Sequence, residues 1–166
     1  MEETLKAGAW IVHRKYGVGQ VTGVETKNIG GETREYFRVK ISSGSYWLPI
    51  KQIPEHVRAV SSKYKLTKAL QAMREKPNPL PKNYKIRNKE VAQRAEGASL
   101  FAKGELVRDL NARRHIEGVN VSIMDERQLD TFRQQFAREM SVILEIPTEE
   151  AEAKIEAALA EGISQL

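Results

Sequence analysis

The sequence predicts an α+β protein in two parts: an antiparallel β-module of the Tudor or SH3-like kind, followed by an all-α helical bundle of about five helices. Three observations carry this reading. The first fifty residues hold short apolar stretches separated by glycine-rich turns. Beyond about residue 60, apolar residues recur instead at spacings of three and four. All strand patterns precede all helix patterns, which describes segregated α+β layers and not a βαβ sheet. The domains expected are residues 1–58 and 64–166.

In the β-module, Trp10 to His13 and Tyr16 to Val21 are the first extended stretches, with Gly17 and Gly19 allowing a tight bend. Ile29-Gly30-Gly31-Glu32 is a hairpin signal. Phe37, Val39 and Ile41 alternate with Tyr36, Arg38 and Lys40, the period of a half-buried strand. A turn at residues 42–45 leads to Tyr46, Leu48 and Ile50, with Trp47 facing the other way. Four or five such strands make a small, strongly bent sheet.

In the helical part, Leu66, Ala69, Leu70 and Met73 mark a first helix with Thr67 near its start. Three prolines, Pro77, Pro79 and Pro81, form an extended connector. A second helix is expected from about Asn83 to Glu96, stopped by Gly97. A third runs from near Ser99 to Arg114, burying Leu106, Val107 and Leu110, with a break at Gly118. Ser122 and Asp125 resemble a capping box opening the longest helix, whose stripe is Leu129, Phe132, Phe136, Met140, Ile143 and Leu144. Pro147-Thr148-Glu149-Glu150 starts the last helix, with carboxylates where the dipole favours them.

Charge is segregated along the chain. The formal net charge is +5, yet residues 59–98 hold ten Lys and Arg against three Asp and Glu, a local +7. Residues 122–166 hold four cations against ten anions, a local −6. A block of this kind fits a local polyanion contact, and equally a solvated helical face beside a compensating acidic helix. No apolar run approaches a membrane span, and the opening Met-Glu-Glu-Thr-Leu-Lys has no apolar signal core, so a cytoplasmic protein without a membrane contact is expected. Cysteine is absent, which removes disulfides, thiolate metal sites and cysteine nucleophiles.

No catalytic constellation is legible. His13, His56 and His115 follow no metal spacing, and Gly17-Val18-Gly19 lacks the third glycine of a dinucleotide loop. There is no Walker lysine and no nucleophile elbow. A non-enzymatic protein with no cofactor, no metal and no small-molecule substrate is expected.

The stretch Leu80 to Lys89 is the informative one. It sets Tyr84 and the cations Lys82, Lys85, Arg87 and Lys89 at a proline-marked helix start. Lys85 and Lys89 share a face, while Arg87 and Arg94 flank an apolar strip of Val91 and Ala95. Cations on both sides of a helix can reach phosphates across a groove, and an exposed aromatic at its edge can wedge against distorted base pairs. The alternative for Tyr84 is packing, because a helical wheel sets it near Val91 and Ala95.

The order of motifs resembles the CarD/CdnL-type bacterial transcription regulators over nearly the whole chain. The matching segments are Ala7 to Val12 followed by Tyr16 to Gly19, Val24 to Glu32, Glu35 to Phe37, Leu48-Pro49, Leu80 to Lys89 and Glu105 to Leu110. The resemblance implies a Tudor-like domain that holds the RNA polymerase β subunit, and a helical domain that lies on promoter DNA at the upstream edge of the transcription bubble. In that family a tryptophan at the helix start wedges into the minor groove and the bound factor stabilises the open complex. Tyr84 occupies that position here, a smaller wedge with a polar tip, with Arg87 and Lys89 at basic positions of the motif. Lys27 corresponds to a polymerase-contacting cation, and Trp47 stands where a second one is found. Ile29 joins Lys27 and Trp47 as a polymerase-binding candidate; Tyr84, Lys85, Arg87, Lys89 and Arg94 are the DNA-binding candidates, in a largely sequence-independent contact. A second reading is an RNA-binding or ribosome-associated module, since SH3-like barrels and basic segments suit RNA as well. A third is a detached module related to the polymerase-binding domain of transcription-repair translocases, which the well-patterned helical half opposes.

Overall fold

The structure is a computed structural model that describes residues 5–97 and 99–166. The acidic first four residues, part of the signal-core reading, lie outside the described residues. The chain divides into two compact units, one ending at Val60 and the other beginning at Ser61.

The first unit is a five-stranded antiparallel sheet built from β1 (Trp10–His13), β2 (Gly17–Ile29), β3 (Glu32–Ile41), β4 (Gly44–Pro49) and β5 (Val57–Ala59), in the order β4-β3-β2-β1-β5. The β2–β3 hairpin closes through Gly30 and Gly31 at φ +62° and +83°, the pair of positive values that a two-residue primed turn demands. Register slips between Val21 and Gly23, a bulge in β2 just after the four residues Gly17 to Gln20 that pair with β1; from Val21 onward β2 pairs with β3 alone. Leu5, Ile11, Val21, Phe37, Val39, Leu48 and Val57 fill the space inside. Trp47 faces away from Leu48, as the alternation predicts.

Two histidines distant in sequence meet at one end of this sheet. The His13 ring lies 4.5 Å from those of both His56 and Tyr16 and 5.2 Å from that of Tyr46. Its Nδ1 accepts the Lys15 and Tyr16 backbone N–H groups at 2.9 and 3.2 Å, fastening the β1–β2 turn. Burial, aided by His56, Arg14 and Lys15, pushes the His13 pKa down to about 4. Burial and Tyr16 push the Tyr46 hydroxyl up to about 12.

The second unit holds α1 (Lys63–Arg74), α2 (Tyr84–Ala95), α3 (Leu100–Ala112), α4 (Ile123–Leu144) and α5 (Thr148–Ile163). The first helix begins earlier than its sequence suggests: Ser62 is the cap, its hydroxyl accepting from Lys65 N–H, and Thr67 lies inside the helix. The capping box of Ser122 and Asp125 is formed. Leu66, Met73, Leu106, Leu110, Phe136, Met140 and Ile155 lie in one continuous core. Close crossings demand small residues there. A Cβ on Gly162 of α5 would stand 2.7 Å from the Met73 carbonyl oxygen, and one on Gly104 of α3 would stand 3.0 Å from that of Ala69. No helix among the described residues is long and apolar enough to cross a membrane.

Two outcomes follow from these contacts. Gly162→Ala should destabilise the helical unit by about 1–3 kcal/mol, read as a lower helical melting temperature by circular dichroism. His13 is neutral in the folded unit, with a value of about 4 against 6.5 when unfolded. Its contribution is therefore complete above pH 6.5 and lost as pH falls towards 4, by at most about 3 kcal/mol. Both tryptophans, Trp10 and Trp47, belong to the β unit, so urea melts followed by tryptophan fluorescence report it selectively. The midpoint should fall between pH 6.5 and 4, and His13→Gln should flatten that part of the profile.

Candidate interaction surfaces

The helix α2 is shaped by its ends. Asn83 caps it, its side-chain oxygen accepting from Lys85 and Ile86 N–H at 3.0 and 3.1 Å, and Gly97 at φ +62° follows its end. No acid occupies its first turn. The outward face carries Lys85, Ile86, Lys89 and Gln93, all exposed. Tyr84 is 58% exposed, with the Lys85 ammonium 6.0 Å from its ring centre, so it stands out from the helix start and does not pack into the core.

Arg87 requires a correction. The sequence reading sets it among the DNA contacts, yet it is 3% exposed, and its Nε donates to Asp125 Oδ1 at 2.8 Å. A buried guanidinium held by a carboxylate cannot reach a phosphate without leaving that partner. The signal is present in the sequence: Arg87 lies four residues before Val91, on the helical face that goes inward. Arg94 is also engaged, its Nη2 donating to Asp109 Oδ2 at 3.3 Å and its Nη1 3.9 Å from Glu90, although a third of its side chain is exposed. Burial pushes the Asp125 carboxyl up, but the Ser122 N–H and the Arg87 guanidinium outweigh it and hold the group below the usual carboxylate range.

Two exposed apolar residues escape a reading based on charge. Ile86, 60% exposed, sits in the middle of the cationic stripe of α2. On α1, Tyr64 is 71% exposed with the Lys68 ammonium 5.5 Å from its ring centre, beside exposed Lys63 and Lys65. The basic block therefore has two aromatic–lysine groupings, on different helices. Ile86 could have been found from its phase, which is opposite to Val91, and Tyr64 from its phase, opposite to Leu66 and Met73, once α1 is started at Ser62.

On the β unit, Lys27 and Trp47 are brought together across β3. The Lys27 ammonium lies 3.5 Å from the Trp47 ring centre, and the Trp47 indole N–H donates to Glu25 Oε2 at 2.7 Å. Glu25 also lies 3.7 Å from Arg38, the residue that pairs with Trp47 between strands. Trp47 thus gathers a cation onto its own face. Ile29 is 59% exposed beside the hairpin turn, next after Lys27 on the same face of β2. The strand β4 pairs with β3 as far as Tyr36, opposite Pro49, and the Ile50 N–H then donates to the Glu35 carbonyl oxygen at 3.3 Å. Beyond that point residues 32–35 and 49–52 line an open cleft along the β3 edge. Among the described residues no group of three or more acidic or histidine side chains is placed to hold a metal ion.

Two family models match the chain. Residues 5–61 match the CarD-like/TRCF RID domain, and residues 68–156 match the CarD C-terminal domain. The two matches follow the order of the β and helical units and between them span most of the sequence. The chain therefore belongs to the CarD/CdnL-type family, and is a transcription-related regulator that interacts with RNA polymerase.

Proposed function

We propose that this regulator works without catalysis, binding the RNA polymerase β subunit through its β unit and promoter DNA at the upstream bubble edge through α2, so that the open complex is stabilised. One observation carries the DNA half: Tyr84 projects, 58% exposed, from the start of a helix whose outward face bears Lys85 and Lys89 and whose first turn has no acid. The lysines meet backbone phosphates along one side of the helix, in a contact set by backbone and not by base identity. Tyr84 inserts its ring where stacking is already broken. Arg87 and Arg94 are left out of this contact set.

The polymerase half is supported by the Lys27–Trp47 pair. Where the family resemblance implies two cations, this chain has one cation resting on an indole, a contact built on packing as well as charge. The end of the β3 edge at residues 32–34, beyond the Ile50–Glu35 backbone hydrogen bond, suits backbone pairing with a strand of the partner, with Ile29 adding apolar area at the hairpin end. Once tethered to polymerase, α2 needs little intrinsic affinity for DNA, because tethering raises its local concentration. The bound factor is then nucleoid-associated in the cytoplasm.

In open-complex lifetime assays, Tyr84→Ala and Lys89→Glu should retain polymerase binding and abolish the increase in lifetime. Lys27→Glu combined with Trp47→Ala should lose polymerase binding itself. Full stabilisation by both α2 variants would overturn the DNA assignment. Recovery of ribosomal particles without polymerase subunits from a bacterial lysate would favour the RNA-binding reading. In direct titrations against duplex DNA, Lys89→Ala should lower the slope of log affinity against log salt by about 0.9, the value for one phosphate contact. Tyr84→Ala should weaken binding and leave that slope unchanged.

A further inference from the structure

The geometry assigns Arg87 and Arg94 a role other than DNA contact, as positioning residues that pin α2, together with the connector before it, to two buried carboxylates. Asp125, 1% exposed, receives Arg87 Nε at 2.8 Å on one oxygen, and Arg113 Nε at 3.1 Å and the Ser122 backbone N–H at 3.0 Å on the other. Asp109, 2% exposed, receives Arg108 Nε at 2.8 Å and the Asn78 backbone N–H at 3.0 Å on one oxygen and Arg94 Nη2 at 3.3 Å on the other. Each carboxylate therefore serves two guanidinium groups and one backbone donor. In each case one guanidinium belongs to α2 and the other lies in α3 or caps its end.

The rest of α2 is thinly attached. Val91 is its only fully buried apolar residue, with Ala95 partly buried. Arg87 Nη1 also donates to the Pro81 and Lys82 carbonyl oxygens at 3.1 and 3.0 Å, so one side chain holds both the connector end and the helix start. Asn78 attaches the middle of the connector to Asp109. The pins at Arg87 and Arg94 lie two turns apart and leave little rotational freedom about the helix axis. That rotation decides whether Tyr84, Lys85 and Lys89 face outward.

Pinning and direct contact predict opposite signs. Removing an acid near a DNA-binding face should tighten binding if only charge matters. If Asp125 acts by placing α2, its removal should weaken binding despite the gain in positive charge.

The first measurement needs no DNA: amide hydrogen exchange of the full chain, wild type against Arg87→Met and Arg94→Met. Exchange over residues 84–95 should accelerate at least about tenfold in each variant, with α5 and the β unit unchanged, because the helix loses a charge-assisted tether to the bundle while the carboxylate keeps its second guanidinium. Unchanged α2 exchange in both variants would overturn the pinning. If Arg87→Met fails to fold, Arg87→Lys carries the comparison, since it keeps the charge but cannot reach the carboxylate and both carbonyls with one planar group. The second measurement is binding of a forked DNA duplex by Asp125→Asn, expected to be about tenfold weaker than wild type. Tighter binding would overturn the positioning role. This arm alone rests on the DNA reading: if the wild-type chain bound no forked duplex, that reading would fall, and the exchange result would still decide the pins.

Discussion

The face that α2 presents to the outside depends on two carboxylates that are not themselves presented. Asp109 and Asp125 are buried, and each is surrounded by cationic donors from separate segments. Desolvating a carboxylate and a guanidinium costs several kcal/mol per ion, so such pairs add little net stability over a well-packed apolar contact. What they supply is geometry. Any arrangement of α2 that withdraws its arginines breaks charge-assisted hydrogen bonds to Asp125 and Asp109, each worth about 1.5–3 kcal/mol and strict in direction. Burying the single valine Val91 offers about 1.5–3 kcal/mol, and apolar contact is tolerant of rotation and sliding. The ionic term therefore decides where α2 sits.

The β unit solves the same problem of presentation by other means. Its outward face is ordered by a short ladder in which Trp47 donates to Glu25, Glu25 faces Arg38, and Lys27 covers the indole. These contacts are largely exposed, so each is worth only a few tenths to about 1 kcal/mol. They act by restricting rotamers on a sheet that the core already holds. The bulge between Val21 and Gly23 and the glycine turn at residues 30–31 set the curvature, and the outward cluster follows from it.

Most of the secondary structure was legible, because the forces that select it are local. The stripe from Leu129 to Leu144, the Ser122–Asp125 box, the Gly30-Gly31 hairpin and the opposite facing of Trp47 and Leu48 all depend on residues within a few positions of one another. Where reading failed locally, competing signals were at fault. Thr67 drew the first helix start inward, although Ser62 is the residue whose hydroxyl meets an unpaired N–H. The candidate site was less legible. Tyr84, Lys85 and Lys89 are on the surface, but Arg87 has the composition of a phosphate ligand and the phase of a core residue. Phase prevailed because an acid was available inside. Likewise His13 and His56, 43 positions apart, follow no metal spacing, and only the pairing of β1 with β2 and β5 brings their rings together.

The sequence by itself determined a β-module followed by a helical part, the helical and strand faces, and the placing of positive charge before negative along the chain. It also determined the family, through motifs in a shared order. The tertiary structure decided which cations remain available to a partner and which are engaged internally. Charge can be counted along a chain, but whether a guanidinium is free depends on a carboxylate met across helices, 38 positions away for Arg87 and Asp125 and 15 for Arg94 and Asp109. No local pattern encodes such a meeting. It exists only when α2, α3 and α4 have packed.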